Sequence, residues 1–259
     1  MPERYLQSNL QLLINYNNLR CILKTLCILP AFNEEGKIGN VIKKVQAIGC
    51  VDEIIVADDC STDNTKSEAE ALGATVLRHE VNMGVGAGIR SGIKYGIKNG
   101  FDLAVILSGD DQHEPTELPM VLDRLQGNKR NFIQGSRRLK GGDAVNPPLF
   151  REITTRLYSL VMTIFTLHRV TDGTNGFRAF YLSMFDDKSI NLDQDWLNTY
   201  ELEPYLLYKA IISKNIDVIE VPITVYYRGE KKSYSKMKPF RDWWRLSRPL
   251  FFLRFNIKR

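Results

Sequence analysis

The stretch TLCILPAFNEEGKIGNVIKKV, residues 25–45, decides how the chain is read. Its opening TLCILP is a short apolar run and predicts a strand. After a polar turn, Ile38, Val41, Ile42 and Val45 fall at i, i+3, i+4 and i+7, the apolar stripe of a helix lying on a sheet. Strand, turn and amphipathic helix make one βα unit, and the units that follow argue for a largely parallel α/β sheet. DEIIVADD (52–59) predicts the second strand and ATVLR (74–78) the third. GVGAGIRSGIKYGIKNG (84–100) predicts a helix with Ile89, Ile93 and Ile97 on one side, and LAVIL (103–107) the fourth strand.

Beyond it, NFIQGSR (131–137) leads into a Gly/Pro-rich connection and a long helix over 149–167. TDGTNGFRAFY (171–181) reads as turn plus strand, YELEPYLLYKAIIS (200–213) as helix and IDVIEVPITVYYR (216–228) as strand. At 259 residues, 44% hydrophobic and 25% charged, the chain has room for one large α/β domain or two small ones. Cys21, Cys27, Cys50 and Cys60 form no CxxC pair and have no histidine at metal spacing, which predicts reduced thiols in a cytoplasmic protein. With no apolar run near the length a bilayer requires and no cleavage-site pattern, neither a transmembrane helix nor a secretory signal is expected.

Open α/β sheets bind ligands at the carboxyl ends of their strands. Asn33 and Glu34, Asp58 and Asp59, and Asp110 and Asp111 stand at three such ends and are expected to project into one crevice. In GDDQHEP (109–115), carboxylate and amide oxygens two residues apart suit a hard divalent cation, Mg²⁺ or Mn²⁺, that shares its coordination with a phosphate. Asp110 and Gln112 are the candidate ligands; the competing reading is that Asp110 and Asp111 cap the helix from about Thr116. Gly84, Gly86 and Gly88 have GxGxG spacing after the third strand, a weak match to a dinucleotide fingerprint. Close packing of a helix against the nucleotide loops accounts for them better.

LPAFNEE (29–35), VADDCSTDNT (56–65), NMGVGAGIRSG (82–92), GDDQHEP, GSR (135–137) and NGFRAF (175–180) occur in this order. The set resembles inverting family 2 glycosyltransferases of the GT-A fold, most closely the dolichyl-phosphate and polyprenyl-phosphate sugar synthases, over about residues 25–227. The resemblance implies a nucleotide-sugar half over 25–137 and an acceptor half over 138–227, after an N-terminal extension, 1–24. It implies that Pro30, Phe32, Asn33 and Glu34 line the base and ribose pocket, with Asp58, Asp59 and Gly84 beside the nucleotide. Asp110 and Gln112 are implied as metal ligands beside the diphosphate, and Arg137 and Arg178 as phosphate-neutralising arginines, with Asp110, Arg137 and Arg178 central to catalysis. Where the family usually has Asp-x-Asp, this chain has Ser108, and Asp111 is the candidate substitute. On the acceptor side the implied residues are Arg137, Arg151, Arg178, Arg228, Ser235 and Lys236.

Residues 228–259 hold eleven Lys and Arg against two acids, a surplus of nine in a chain of net charge +5, so the rest carries −4. If 240–251 is helical, Phe240, Trp243, Trp244, Leu250 and Phe251 share one side beside a stripe of Arg241, Arg245 and Arg248, the composition of an interfacial anchor. The competing reading is a helix packed on the catalytic domain, and Pro249 is expected to interrupt it. The acidic crevice argues against nucleic acid.

The resemblance, with the tail's composition, implies a GT-A enzyme, cytoplasmic and peripheral on the inner membrane face, moving a hexose from a GDP-mannose- or UDP-glucose-type donor to a polyprenyl or dolichyl phosphate. The tail would contact the membrane, beside a membrane-protein partner able to supply transmembrane helices. Two alternatives stay open: transfer to a saccharide hydroxyl, with Asp172, Glu201 or Glu203 as base, and a nucleotide-binding relative without turnover.

Overall fold

The computed structural model describes residues 23–126, 128–227 and 241–258. The chain alternates β1 (Thr25–Ala31), α1 (Ile38–Ile48), β2 (Glu53–Asp58), α2 (Thr65–Ala71), β3 (Thr75–Arg78), α3 (Val85–Lys98) and β4 (Leu103–Ile106). There follow α4 (Leu118–Gln126), β5 (Asn131–Ser136), β6 (Asp143–Val145), α5 (Leu149–Thr166), β7 (Arg178–Tyr181), α6 (Leu202–Ile212), β8 (Asp217–Pro222), β9 (Thr224–Tyr226) and α7 (Arg241–Arg254).

Seven strands form one sheet in the order β3-β2-β1-β4-β7-β5-β8. All neighbours run parallel except β7, which is antiparallel to both β4 and β5. The central strands are apolar throughout because helices cover both sheet faces. On one side α1 and α4 bury Ile38, Val41, Ile42, Val45, Leu118, Val121, Leu122 and Leu125. On the other, α3, α5, α6 and α7 bury Ile89, Ile93, Tyr158, Met162, Tyr205, Leu206, Leu246, Leu250 and Leu253.

Three expectations need correction. The single strand expected over 216–228 is two: Pro222 ends β8 without a donor for the ladder, and β9 leaves to pair in parallel with β6, inside the supposed Gly/Pro-rich connection. Pro249 does not interrupt the last helix but lies buried within α7. The side predicted to face a membrane is partly spent on packing. Leu250 is fully buried, Trp243 meets Phe150 edge-on and the Tyr158 hydroxyl donates to the Leu246 carbonyl at 3.0 Å. Among the described residues no helix is long and apolar enough to cross a membrane.

Candidate active site

A cavity of about 720 Å³ opens at the carboxyl ends of β1, β2 and β4, and its far wall is made by α5, α7 and the segment leading into α6. Pro30, Phe32, Glu34, Asp59 and Gly84 line it together with Asp110, Asp111 and Gln112 and with Arg137 and Arg151. The turns after β1, β2 and β4 each contain a non-glycine residue in the left-handed region: Asn33 at φ 51°, Cys60 at φ 66° and Asp111 at φ 58°. Backbone of this kind concentrates at binding sites, where surrounding bonds hold it.

Two of the residues expected in the crevice do not line it. Asp58 is fully buried; it accepts from the Ser61 amide at 3.0 Å and pairs with Arg78 at 3.2 Å, so its carboxylate braces the β2 turn. Asn33 accepts the Thr62 amide on Oδ1 at 2.8 Å and donates its own amide to Ser61, tying the β1 turn to the β2 turn. Asp59 does line the cavity, and its carboxylate also accepts the Met83 and Gly84 amides at 2.8 and 2.6 Å and faces His79 at 2.8 Å. It therefore fixes the loop entering α3. Of the three glycines there, Gly88 packs as expected: a Cβ on it would lie 3.4 Å from Ala57 at the end of β2 and 3.9 Å from Pro30. Gly84 and Gly86 have a different partner: a Cβ on Gly86 would lie 2.2 Å from the Leu197 carbonyl and 2.4 Å from that of Thr199, so these two admit the segment before α6.

Lys37 and Lys44, both absent from the sequence-based set, bear on the acidic loop. Lys37 lines the cavity, pairs with Glu34 at 2.9 Å, and stays protonated above the usual lysine range: burial opposes its charge, but Glu34 and Asp110 outweigh burial. Lys44 binds Asp111 at 2.7 Å, which engages that carboxylate with a cation already. Asp110 and Gln112 remain the oxygen donors facing the cavity, and the Gln112 amide donates to Asp110 at 3.2 Å. Among the described residues no three His, Cys, Asp or Glu gather as a metal cage. One carboxylate with one amide oxygen nevertheless fits a hard cation that completes its shell with water and phosphate oxygens.

Arg137 and Arg178, which the resemblance implies as phosphate-neutralising, sit in a buried polar network. Arg137 grips Asp172 through Nε–Oδ2 and Nη2–Oδ1, both 2.6 Å, and also donates to Thr174 at 2.8 Å and to the Tyr227 hydroxyl. Burial alone would raise the Asp172 carboxyl; Arg137 outweighs it and holds the group below the ordinary carboxylate range. Glu220 on β8 accepts the Thr171 and Asp172 amides and so fixes the turn that carries Asp172. Arg178 lies beneath the cavity wall, almost fully buried. It donates to Gln134 at 2.6 Å and pairs with Glu203 at 3.4 Å, while Nη2 has no hydrogen-bond partner among the described residues. Burial pulls its pKa below the ordinary arginine value.

His113 is buried. Its Nδ1 accepts the Ser108 amide at 3.0 Å, and burial, then Arg137, press its pKa down to about 4, so it is neutral near pH 7. Glu201 is fully buried, bonded to Thr199 and paired with Arg248 of α7. Arg241, Trp243 and Arg245 bring α7 into the cavity wall, a contact no local sequence pattern announces. Arg228, Ser235 and Lys236 lie outside the described residues.

Known proteins agree with this architecture. The chain is 28% identical to the UDP-N-acetylglucosamine–dolichyl-phosphate N-acetylglucosaminyltransferase of Methanococcus voltae over 77% of its own length and 84% of that protein. It is 29% identical to the undecaprenyl-phosphate mannosyltransferase of Micrococcus luteus, covering 81% of this chain and 87% of the other. Among solved structures, glucosyl-3-phosphoglycerate synthase from Mycobacterium tuberculosis, in complex with Mn²⁺, UDP and glucosyl-3-phosphoglycerate, superposes with a TM-score of 0.70. Its identity is 19%, over 95% of this chain and 85% of that one. Residues 26–192 match the family described as Glycosyl transferase family 2. With more than half its length matched and the sheet order, rim cavity and acidic loop in place, the chain belongs to glycosyl transferase family 2 and is a glycosyltransferase of the GT-A fold.

Proposed function

We propose that the chain moves a sugar, with inversion, from a nucleotide diphosphate sugar to a polyprenyl phosphate. The observation that carries this reading is the state of the acceptor-side carboxylates. Asp172 is locked by Arg137, Glu201 is paired with Arg248 and Glu203 faces Arg178, so each candidate base is already neutralised by an arginine. A sugar hydroxyl requires a general base to attack, whereas a phosphate monoester is already anionic at neutral pH. Arg151, Arg241 and Arg245 supply positive charge in the cavity lining. The names of the two curated relatives, both transferases to lipid phosphates, support the same acceptor class.

In this reading Pro30, Phe32, Glu34 and Asp59 seat the nucleoside, and Lys37 stands where negative charge gathers beside Asp110. A divalent cation held by Asp110 and Gln112, like the Mn²⁺ or Mg²⁺ bound by the solved relatives, would offset charge on the departing diphosphate. Arg151 would orient the acceptor phosphate in line with the anomeric carbon, while the Arg137–Asp172 and Arg178–Glu203 pairs keep that wall rigid. Positioning and fixed charge then do most of the catalysis.

The test is one incubation of purified protein with Mn²⁺, mixed UDP- and GDP-sugars and a polyprenyl phosphate, with mass spectrometry of the organic phase. A new glycosyl phospholipid is expected. Donor hydrolysis without one, together with transfer to saccharide acceptors that Glu203→Gln abolishes, would replace this reading by the hydroxyl-acceptor one.

A further inference from the structure

Helix α5 buries only one side. Tyr158, Ser159 and Met162 face the core, but Phe150, Ile153, Leu157, Leu160 and Ile164, spaced 3, 4, 3 and 4 apart, are each 56–61% exposed. The ridge runs about 21 Å along the helix at 1.5 Å per residue. Where α5 and α7 pack, through Phe150 on Trp243 and Phe165 on Phe251, exposed Trp244 and Phe255 extend the apolar surface. A continuous apolar face of this extent is unusual on a soluble monomer and marks a contact.

We infer that the α5 ridge, joined by Trp244, Phe251 and Phe255 of the α7 segment, is the surface on which this enzyme lies in the interfacial layer of an anionic bilayer. Charge selects this occupant over a second copy of the chain. The two helices carry six arginines, Arg151, Arg156, Arg241, Arg245, Arg248 and Arg254, against two acids, Glu152 and Asp242, and with Arg248 committed to Glu201 a surplus of three positive charges remains. In a two-fold dimer the same patch meets itself, so this basic rim would oppose its own copy. Anionic headgroups complement it, and apolar side chains with a basic margin suit the headgroup–acyl boundary.

The placement also serves the acceptor. Arg151 and Thr155 of α5 and Arg241, Arg245 and Leu246 of α7 line the cavity, so the helices that carry the ridge also form the cavity wall. A lipid phosphate could reach the arginines while its chain stayed on the apolar side. This consequence rests on the proposed acceptor class; the ridge itself does not.

The test uses the full chain and flotation with phosphatidylcholine vesicles, with and without phosphatidylglycerol and free of polyprenyl phosphate. Wild type is expected to float with the anionic vesicles. Leu157→Glu/Leu160→Glu, which changes only exposed side chains, is expected to lower partitioning about ten-fold or more. Ile212→Glu, an exposed apolar site on α6, is the control and should partition as wild type does. Ile153→Ser/Ile164→Ser repeats the test without added charge. Undiminished flotation of both double variants overturns the inference. So does a wild type that ignores vesicles but forms dimers, seen by light scattering, which the same substitutions dissolve. Lost flotation with turnover kept on detergent-dispersed polyprenyl phosphate supports both readings. Intact vesicle binding with no turnover on that acceptor supports the ridge and removes the acceptor proposal alone.

Discussion

Asp172→Asn separates a structural carboxylate from a catalytic one. The Arg137–Asp172 pair is almost wholly buried and bidentate, so removing one charge leaves the other desolvated and unpaired. Breaking such a pair costs about 3–5 kcal/mol, whereas replacing both partners with apolar groups of similar volume is often close to neutral. At roughly 2–4 °C per kcal/mol for chains of this size, Asp172→Asn and Arg137→Met are each expected to lower Tm by about 6–20 °C. Arg137→Met/Asp172→Leu should lose less than the sum, leaving a coupling energy of about 2 kcal/mol or more. Differential scanning fluorimetry of the four proteins reads this directly. Because the Asp172 carboxyl titrates below its ordinary 3.8, its contribution is complete above that pH and is lost as pH falls through the folded value. The penalty of Asp172→Asn should therefore shrink in acid. Single variants that each cost under about 1 kcal/mol and simply add would refute the argument. Unchanged stability with turnover lost in Asp172→Asn but kept in Arg137→Met would make Asp172 a base.

Three further outcomes follow from the same geometry. Gly86→Ala should destabilise by about 1–3 kcal/mol, since its Cβ would meet two backbone carbonyls, whereas Gly88→Ala, with nothing nearer than 3.4 Å, should be neutral or slightly stabilising in denaturant titration. Burial lifts the Glu117 carboxyl to about 7 against bonds from the Thr224 amide, so its contribution is full below pH 4.5 and declines as pH rises through 7. Allowing for partial exposure, Glu117→Gln should flatten the stability–pH curve there by about 1–2 kcal/mol, and an unchanged slope would contradict this. Ser108→Asp adds a carboxylate to the loop of Asp110 and is expected to lower the Mn²⁺ concentration for half-maximal turnover about three- to ten-fold; an unchanged value would mean that position 108 does not reach the cation.

The first half of the fold was legible because each βα unit is local: β1, β2, β3 and β4 lie within a residue or two of the apolar runs that predict them. β7 and β9 were harder. The direction of β7 is set by partners on both sides, and β9 departs at a proline inside one continuous apolar run. In the site, side chains that follow a strand end directly, such as Glu34, Asp59 and Asp110, were readable from position. Asp58 and Asn33 stand equally close to strand ends, but their side chains brace the turns. Lys44 on Asp111, Glu220 under the Asp172 turn and Arg248 on Glu201 join residues 67, 48 and 47 positions apart, beyond any local periodicity. The α5 ridge lay in plain view as a 3–4 repeat, yet the same pattern describes a buried stripe. Only tertiary packing shows which side the core takes.

The place of β7 in the sheet has a consequence for biosynthesis. β4 meets β5 nowhere, and β7 alone joins the β3-β2-β1-β4 block to β5-β8. A nascent chain that has reached α5 can complete the four-stranded N-terminal block, but the outer edge of β4 stays unpaired until Arg178–Tyr181 leaves the ribosome. Such an edge is a template for pairing with other chains, and the exposed ridge of α5 is synthesised during that same interval. Truncations ending between β5 and β7 should therefore aggregate rather than accumulate as soluble nucleotide-binding fragments, and ribosome pausing within that interval should increase dependence on chaperones.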